Sequence, residues 1–231
     1  PYCRGGKNHD KGTFAIHLST GQFNCLRSSC GAKGNMHVLA RDFTWFDLRS
    51  GANTYNQPKK QYKTFKKMHL IESKPAAIKI LEARGISADI TKKYEITTQT
   101  EHKNILAMPF RDENGDVPFI KYRKADYNPK IDKNKEWCQV GGKPILFGMY
   151  QCNLNNKTLV LTEGQIDSLS VAEAGIENAV SVPTGARGFT WIPHCWEWLQ
   201  NFNTLVVFGD FENGKMTLLD EMKKRFPGVV K

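Results

Sequence analysis

Two short apolar runs, each ending in carboxylates, constrain this chain's fold more than any other feature. Thr158-Leu159-Val160-Leu161-Thr162 leads into Glu163-Gly164-Gln165-Ile166-Asp167, and Leu205-Val206-Val207-Phe208-Gly209 leads into Asp210-Phe211-Glu212-Asn213-Gly214. Apolar runs of this length, rich in β-branched and aliphatic residues and separated by helix-length segments, read as buried parallel strands. In an open α/β sheet, ligands bind in the crevice beyond the carboxyl ends of the strands. Glu163, Asp210 and Glu212 are therefore expected at one crevice, where hard oxygen donors suit Mg²⁺ or Mn²⁺. Gly164 lets the backbone turn, and a helix begins near Gln165 with Ile166, Leu169 and Ala172 on one face and Gly175 as its C′ residue. A further strand, Ala179-Val180-Ser181-Val182, leads into Pro183-Thr184-Gly185-Ala186-Arg187-Gly188. An ordinary α/β unit with helix-capping acids would account for Asp167, because a carboxylate in a first helical turn is favourable for that reason alone.

The other end of the chain has a different character. Cys3, Cys25 and Cys30 bracket Thr13-Phe14-Ala15-Ile16-His17-Leu18, a Ser19-Thr20-Gly21 turn and Gln22-Phe23-Asn24. Apolar residues at alternate positions predict a β-hairpin that ends in a Cys-x4-Cys knuckle followed by Gly31 and Gly34. A module this small buries too little apolar surface to be stable alone, and a tetrahedral zinc would supply the missing folding energy. Three thiolates leave one position open, and His9 is available in the loop after Cys3. His17 and His37 read as surface residues, and Phe14, alternating with Ile16 and Leu18, as core.

Between these ends, Ala77 to Gly85 reads as a short amphipathic helix ending at Gly85. Ile105 to Phe110 and Val117 to Arg123 read as two strands around a polar Asn114-Gly115 turn, followed by Gly142-Lys143-Pro144-Ile145-Leu146-Phe147-Gly148. The formal net charge of +10 favours a polyanionic partner. Its distribution is more telling: residues 1–75 hold 13 Lys and Arg against 4 Asp and Glu, whereas residues 151–231 hold 7 against 9. The positive charge thus sits away from the strand-end acids. No apolar run approaches the roughly 20 residues of a membrane span, and no secretory signal is present. The knuckle spacing reads as metal chemistry rather than disulfides, with Cys138, Cys152 and Cys195 as isolated buried thiols, which implies a reducing cytoplasm.

The arrangement E-G-x-x-D, strand, T-G, strand, D-x-E resembles the TOPRIM domain shared by primases, topoisomerases and some nucleases. The strings D-K-G-T-F before the hairpin and C-G-A-K-G-N after it resemble the zinc-binding domain of bacterial and phage primases, and the middle region resembles the basic subdomain of their polymerase core. Together they resemble a DNA primase of the bacterial or phage type, or the primase half of a phage-like primase–helicase. The resemblance implies a mixed α+β and α/β chain: a zinc ribbon over 1–45, a basic linker over 46–74, the basic N-terminal subdomain over 75–154 and a Rossmann-like TOPRIM unit over 155–231. The TOPRIM unit is expected to be cut short where the helix Met216 to Phe226 leads towards a further strand.

The activity implied is template-directed synthesis of RNA primers. Glu163 would act as general base and, with Asp210 and Glu212, hold Mg²⁺ or Mn²⁺, while Asp167 supports the site. The family pattern is D-x-D, so Glu212 departs from it by one methylene. Lys121, Arg123, Lys143 and Arg187 would contact nucleotide or template phosphates. Aligning D-K-G-T-F with the family places Cys3 in the second zinc position, with the first ligand just before Pro1 and His9 in a loop insertion. The partners implied are single-stranded DNA, ribonucleoside triphosphates and a replicative helicase, fused or separate, with no membrane, in a bacterial or phage-infected cytoplasm. Two other readings use the same residues: a TOPRIM nuclease or topoisomerase that cleaves DNA, and a non-catalytic zinc-ribbon DNA-binding module.

Overall fold

The computed structural model describes residues 14–17, 20–25, 30–42, 61–63, 70–226 and 228–230. The expected hairpin forms from β1 (Phe14–His17) and β2 (Gln22–Cys25), with Phe14 opposite Cys25 and His17 opposite Gln22. Gly21 closes its turn at φ +66°, where a β-carbon would also stand 2.7 Å from Met36 Cγ. A third antiparallel strand, β3 (Lys33–Asn35), joins the edge and leads directly into α1 (Met36–Asp42). Asn35 ends the strand and starts the helix, its side-chain oxygen accepting from the N–H groups of His37 and Val38 at 3.1 Å. The buried core here is Phe23, Val38 and Leu39, with Phe14, Ile16, Ala32 and Met36 half-buried around it. A core this small needs support from outside itself.

A four-stranded antiparallel sheet occupies the middle of the chain. Ahead of it are α2 (Pro75–Glu82), with proline in the first turn where no N–H is needed, and α3 (Ala88–Lys93), capped by the Ser87 hydroxyl accepting from Ile90 N–H. Gly85 ends α2 in the left-handed conformation, as the sequence predicts. The strands β4 (Thr97–Thr98), β5 (Ile105–Phe110), β6 (Phe119–Lys124) and β7 (Glu136–Cys138) lie in that order. The connection between β5 and β6 carries Asp112, whose carboxylate accepts from the N–H groups of Asn114 and Asp116.

The parallel sheet has the order β10-β8-β9, from β8 (Thr158–Thr162), β9 (Ala179–Ser181) and β10 (Thr204–Phe208). Its helices are α4 (Gln165–Glu173), α5 (Ile192–Leu199) and α6 (Thr217–Arg225). Beyond α6, Val230 makes a parallel bridge to Leu205.

One hydrophobic core runs through both larger sheets, from Leu81 and Phe110 to Leu161, Trp191 and Met222. Phe147 and Ser181 exchange backbone hydrogen bonds at 3.0 and 3.1 Å, stitching the segment after β7 to β9. The same core lies on both sides of residue 154, which is itself in an exposed turn. Cys195 is buried in it, and burial pushes its thiol up to about 12. Cys138 and Cys152 are half-buried rather than buried. The hairpin module packs on this body through β3 against α6 and through a His37–Trp196 stack with ring centroids 3.9 Å apart. Among the described residues, no helix is long and apolar enough to cross a membrane.

Candidate active site

β8 and β10 are adjacent and parallel, with Thr162 opposite Phe208, so both strands release the chain at the same sheet edge. Glu163 follows directly on β8, and Asp210 follows β10 after Gly209. Glu163 is half-buried, and its Oε1 accepts from Ala186 N–H at 3.2 Å. The loop after β9 therefore reaches over to orient it, turning at Gly185 with φ +76°. Asp210 and Glu212 are exposed.

Asp167 caps α4, its Oδ2 accepting from Gly164 N–H at 3.0 Å. Gly164 has an ordinary φ of −108°, so backbone freedom is not what its position demands. A β-carbon there would stand 2.6 Å from Asp167 Oδ2, and the glycine is needed for that close approach.

Glu212 and Lys215 exchange backbone hydrogen bonds of 2.9 and 3.0 Å around Asn213 and Gly214, at φ 51° and 74°. Positive φ at both central residues is the condition for the tightest hairpin turns, which Asn-Gly meets at little steric cost. Asp210-Phe211-Glu212 is thus held by a short, well-defined turn.

Among the described residues, Glu163, Asp167, Asp210 and Glu212 form no ion pair, and no three His, Cys, Asp or Glu side chains gather closely enough to enclose a metal. The fold brings Glu163 and Asp210 to one edge without assembling a closed cage with Glu212. That arrangement fits Mg²⁺, which is bound through one or two carboxylates plus substrate phosphates and keeps several waters. Among the described residues, no lysine or arginine pairs with these oxygens.

Lys121 and Arg123 sit on β6 opposite β7, and both face Glu136. Lys121 Nζ is 2.8 Å from Glu136 Oε2, and Arg123 donates to Oε1. Burial opposes ionisation of Glu136, but the two cations outweigh it and hold its carboxyl below the ordinary range. Sequence reasoning missed Glu136; the signal that finds it is an acid directly across an antiparallel pair from Arg123.

Lys143 is half-buried in a cavity of about 510 Å³ between the hairpin module and the body, lined also by Gln22, His37, Glu113, His194 and Trp196. Arg187 is exposed in the loop that orients Glu163. The four basic residues therefore fall in three places: Lys121 and Arg123 on the antiparallel sheet, Lys143 in the cleft and Arg187 in the loop that orients Glu163.

Of the zinc candidates, Cys25 is buried at the end of β2, with its N–H donating to Ala32 O at 2.7 Å, and Cys30 is half-buried in the following turn. Cys3 and His9 lie outside the described residues. Phe23 is buried and Phe14 half-buried, their rings 5.2 Å apart, so both serve the small core.

No protein-family model matches the chain. Over 248 aligned residues it is 23% identical to the Twinkle homolog protein, chloroplastic/mitochondrial, of Arabidopsis thaliana, covering 97% of this chain and 32% of that protein. The chain thus spans about a third of the length of that relative. The primase fragment of the bacteriophage T7 primase-helicase superposes with a TM-score of 0.55 at 21% identity, covering 94% of this chain and 89% of the fragment. The zinc-binding and RNA polymerase domains of the Aquifex aeolicus primase give the same TM-score of 0.55 at 16% identity, covering 100% of this chain and 70% of that one. Hairpin module, antiparallel sheet and acid-edged parallel sheet occur here in the order that the sequence resemblance implied, and the chain has the fold of the phage and bacterial type of primase.

Proposed function

We propose that the protein synthesises RNA primers on single-stranded DNA. The observation that carries this reading is the pair Glu163 and Asp210, one and two residues beyond the paired strand ends Thr162 and Phe208 in a primase fold, and free of cationic partners among the described residues. Glu163 and Asp210, with Glu212 as a further oxygen donor, would hold Mg²⁺ or Mn²⁺, which would supply Lewis-acid chemistry for nucleotidyl transfer. Glu163 takes the proton of the attacking hydroxyl, its carboxylate aimed by Ala186 N–H. Asp167 acts on the site from its cap on α4. Arg187 and Lys143 contribute positive charge for triphosphate or template, and Lys121 and Arg123 retain a net positive charge after pairing with Glu136.

In this reading residues 1–45 form the zinc ribbon that reads the template, joined by the basic linker 46–74 to the basic subdomain 75–154 and the TOPRIM unit 155–231. Cys3, Cys25 and Cys30 hold zinc, and His9 is dispensable. The partners are single-stranded DNA, ribonucleoside triphosphates and a replicative helicase, and the setting is the cytoplasm of a bacterial or phage-infected cell. The test is to incubate the full-length protein with single-stranded template, Mg²⁺ and labelled ribonucleotides. Oligoribonucleotides that depend on template support primer synthesis; cleaved DNA, or binding alone, overturns it. Metal analysis should give one zinc per chain, unchanged by His9→Ala.

A further inference from the structure

Phe208 and Phe211 flank Asp210 with 65% and 73% of their surfaces exposed. A scattered exposed apolar residue is ordinary. Here, however, two phenylalanines stand within four positions at the acid edge, while every other described phenylalanine is buried or half-buried. Both have well-defined backbones: Phe208 ends β10 opposite Thr162, and Phe211 enters the Asn213-Gly214 turn closed by Glu212 and Lys215. The neighbouring acids repel phosphate unless cations accompany it. An exposed aromatic ring adjacent to them in the chain is suited to an uncharged, flat group that arrives with such a phosphate, and a nucleobase offers a π-face of that kind.

We propose, resting on the primer-synthesis reading above, that Phe211 is a stacking platform for a nucleobase held at the acid edge. The platform positions the base while the acids act at the phosphate, so Phe211 is a positioning residue and not a catalytic one. It accepts any base, because every base has a π-face.

The test uses the full-length protein with Phe211→Trp, read as the emission difference from wild type during titration with oligothymidylate or, separately, ATP, each with Mg²⁺. Quenching by the oligonucleotide assigns the platform to a strand, and quenching by ATP to the incoming nucleotide; either result supports it. Phe211→Ala should raise the Kd of the quenching probe about tenfold. Phe211→Tyr should restore most of that affinity, and Phe211→Leu, apolar without a π-face, should not. Circular dichroism checks that the variants fold, as expected for so exposed a position. No emission change with either probe, or an unchanged Kd in Phe211→Ala, overturns the proposal. If primers are made while these variants are silent, the platform alone fails; if Phe211 responds while no primer is made, the primer-synthesis reading fails.

Discussion

The acids at the end of the parallel sheet and the acid in the antiparallel sheet are treated in opposite ways. Glu136 has Lys121 and Arg123 against its two oxygens and is held ionised by them. Glu163, Asp210 and Glu212 stand within a few residues of two parallel strand ends with no cation paired to them among the described residues. An acid that only needs to be stable acquires partners, as Glu136, Asp132 and Glu221 do. Acids left without cationic partners at a strand-end crevice stay available to a bound cation. The contrast separates charge that supports the fold from charge kept available for chemistry.

The largest effect should come from the unpaired side. Glu163→Gln or Asp210→Asn should lower primer synthesis by about 10²-fold or more, the scale of losing one electrostatic contact to a transition state. Urea unfolding of the same variants should stay within about 0.5 kcal/mol of wild type, because no ion pair is lost. Glu212→Gln should be milder, since its turn sets it apart from the other two. Clear destabilisation of Glu163→Gln would erase the distinction between the two regions.

The paired side should behave in reverse. Glu136→Gln leaves the buried Lys121 without its carboxylate and should cost about 2 kcal/mol, below the value for a fully buried pair because Glu136 remains 27% exposed. The same variant sharpens the comparison through pH. With its folded value held below the ordinary carboxylate value of about 4.3, Glu136 contributes stability above that pH. The contribution is lost as the pH falls through the folded value. Acid unfolding of wild type should therefore show a limb below about pH 4.3 that is flattened in Glu136→Gln.

Smaller effects should come from the hairpin module. Removing residues 1–45 should weaken single-strand binding, reduce its salt dependence and erase preference for initiation sites, as expected if the basic excess of the first part of the chain contacts phosphate. A shortened protein with unchanged initiation sites would show that the module is not the reader. The smallest effect concerns its docking on α5. Burial against Trp196 lowers the pKa of His37, so the neutral ring is favoured in the docked state. The stabilisation is complete above the ordinary histidine value of about 6.5 and is lost as pH falls below it. Tryptophan emission should report weakening of the stack on acidification, and His37→Phe should remove that pH dependence.

Local residue patterns are enough to mark which segments become strands and where the acids stand along them. Alternation marked β1 and β2, apolar runs marked β8 and β10, and glycine at positive φ marked the end of α2, because each is a property of a few neighbouring residues. A cue of the same local kind marks α5: Ile192, Cys195, Trp198 and Leu199 are buried along a helix with a proline in its first turn. Only the tertiary structure decided which acids are neutralised. Glu136 meets Lys121 and Arg123 through the register of β6 with β7, and that register follows from packing of the whole sheet. Lys143 faces the hairpin module because that module docks on α5 and α6, across a separation no local pattern encodes. Charge along a chain is written residue by residue, whereas the company each charge keeps is set by contacts between residues far apart in sequence.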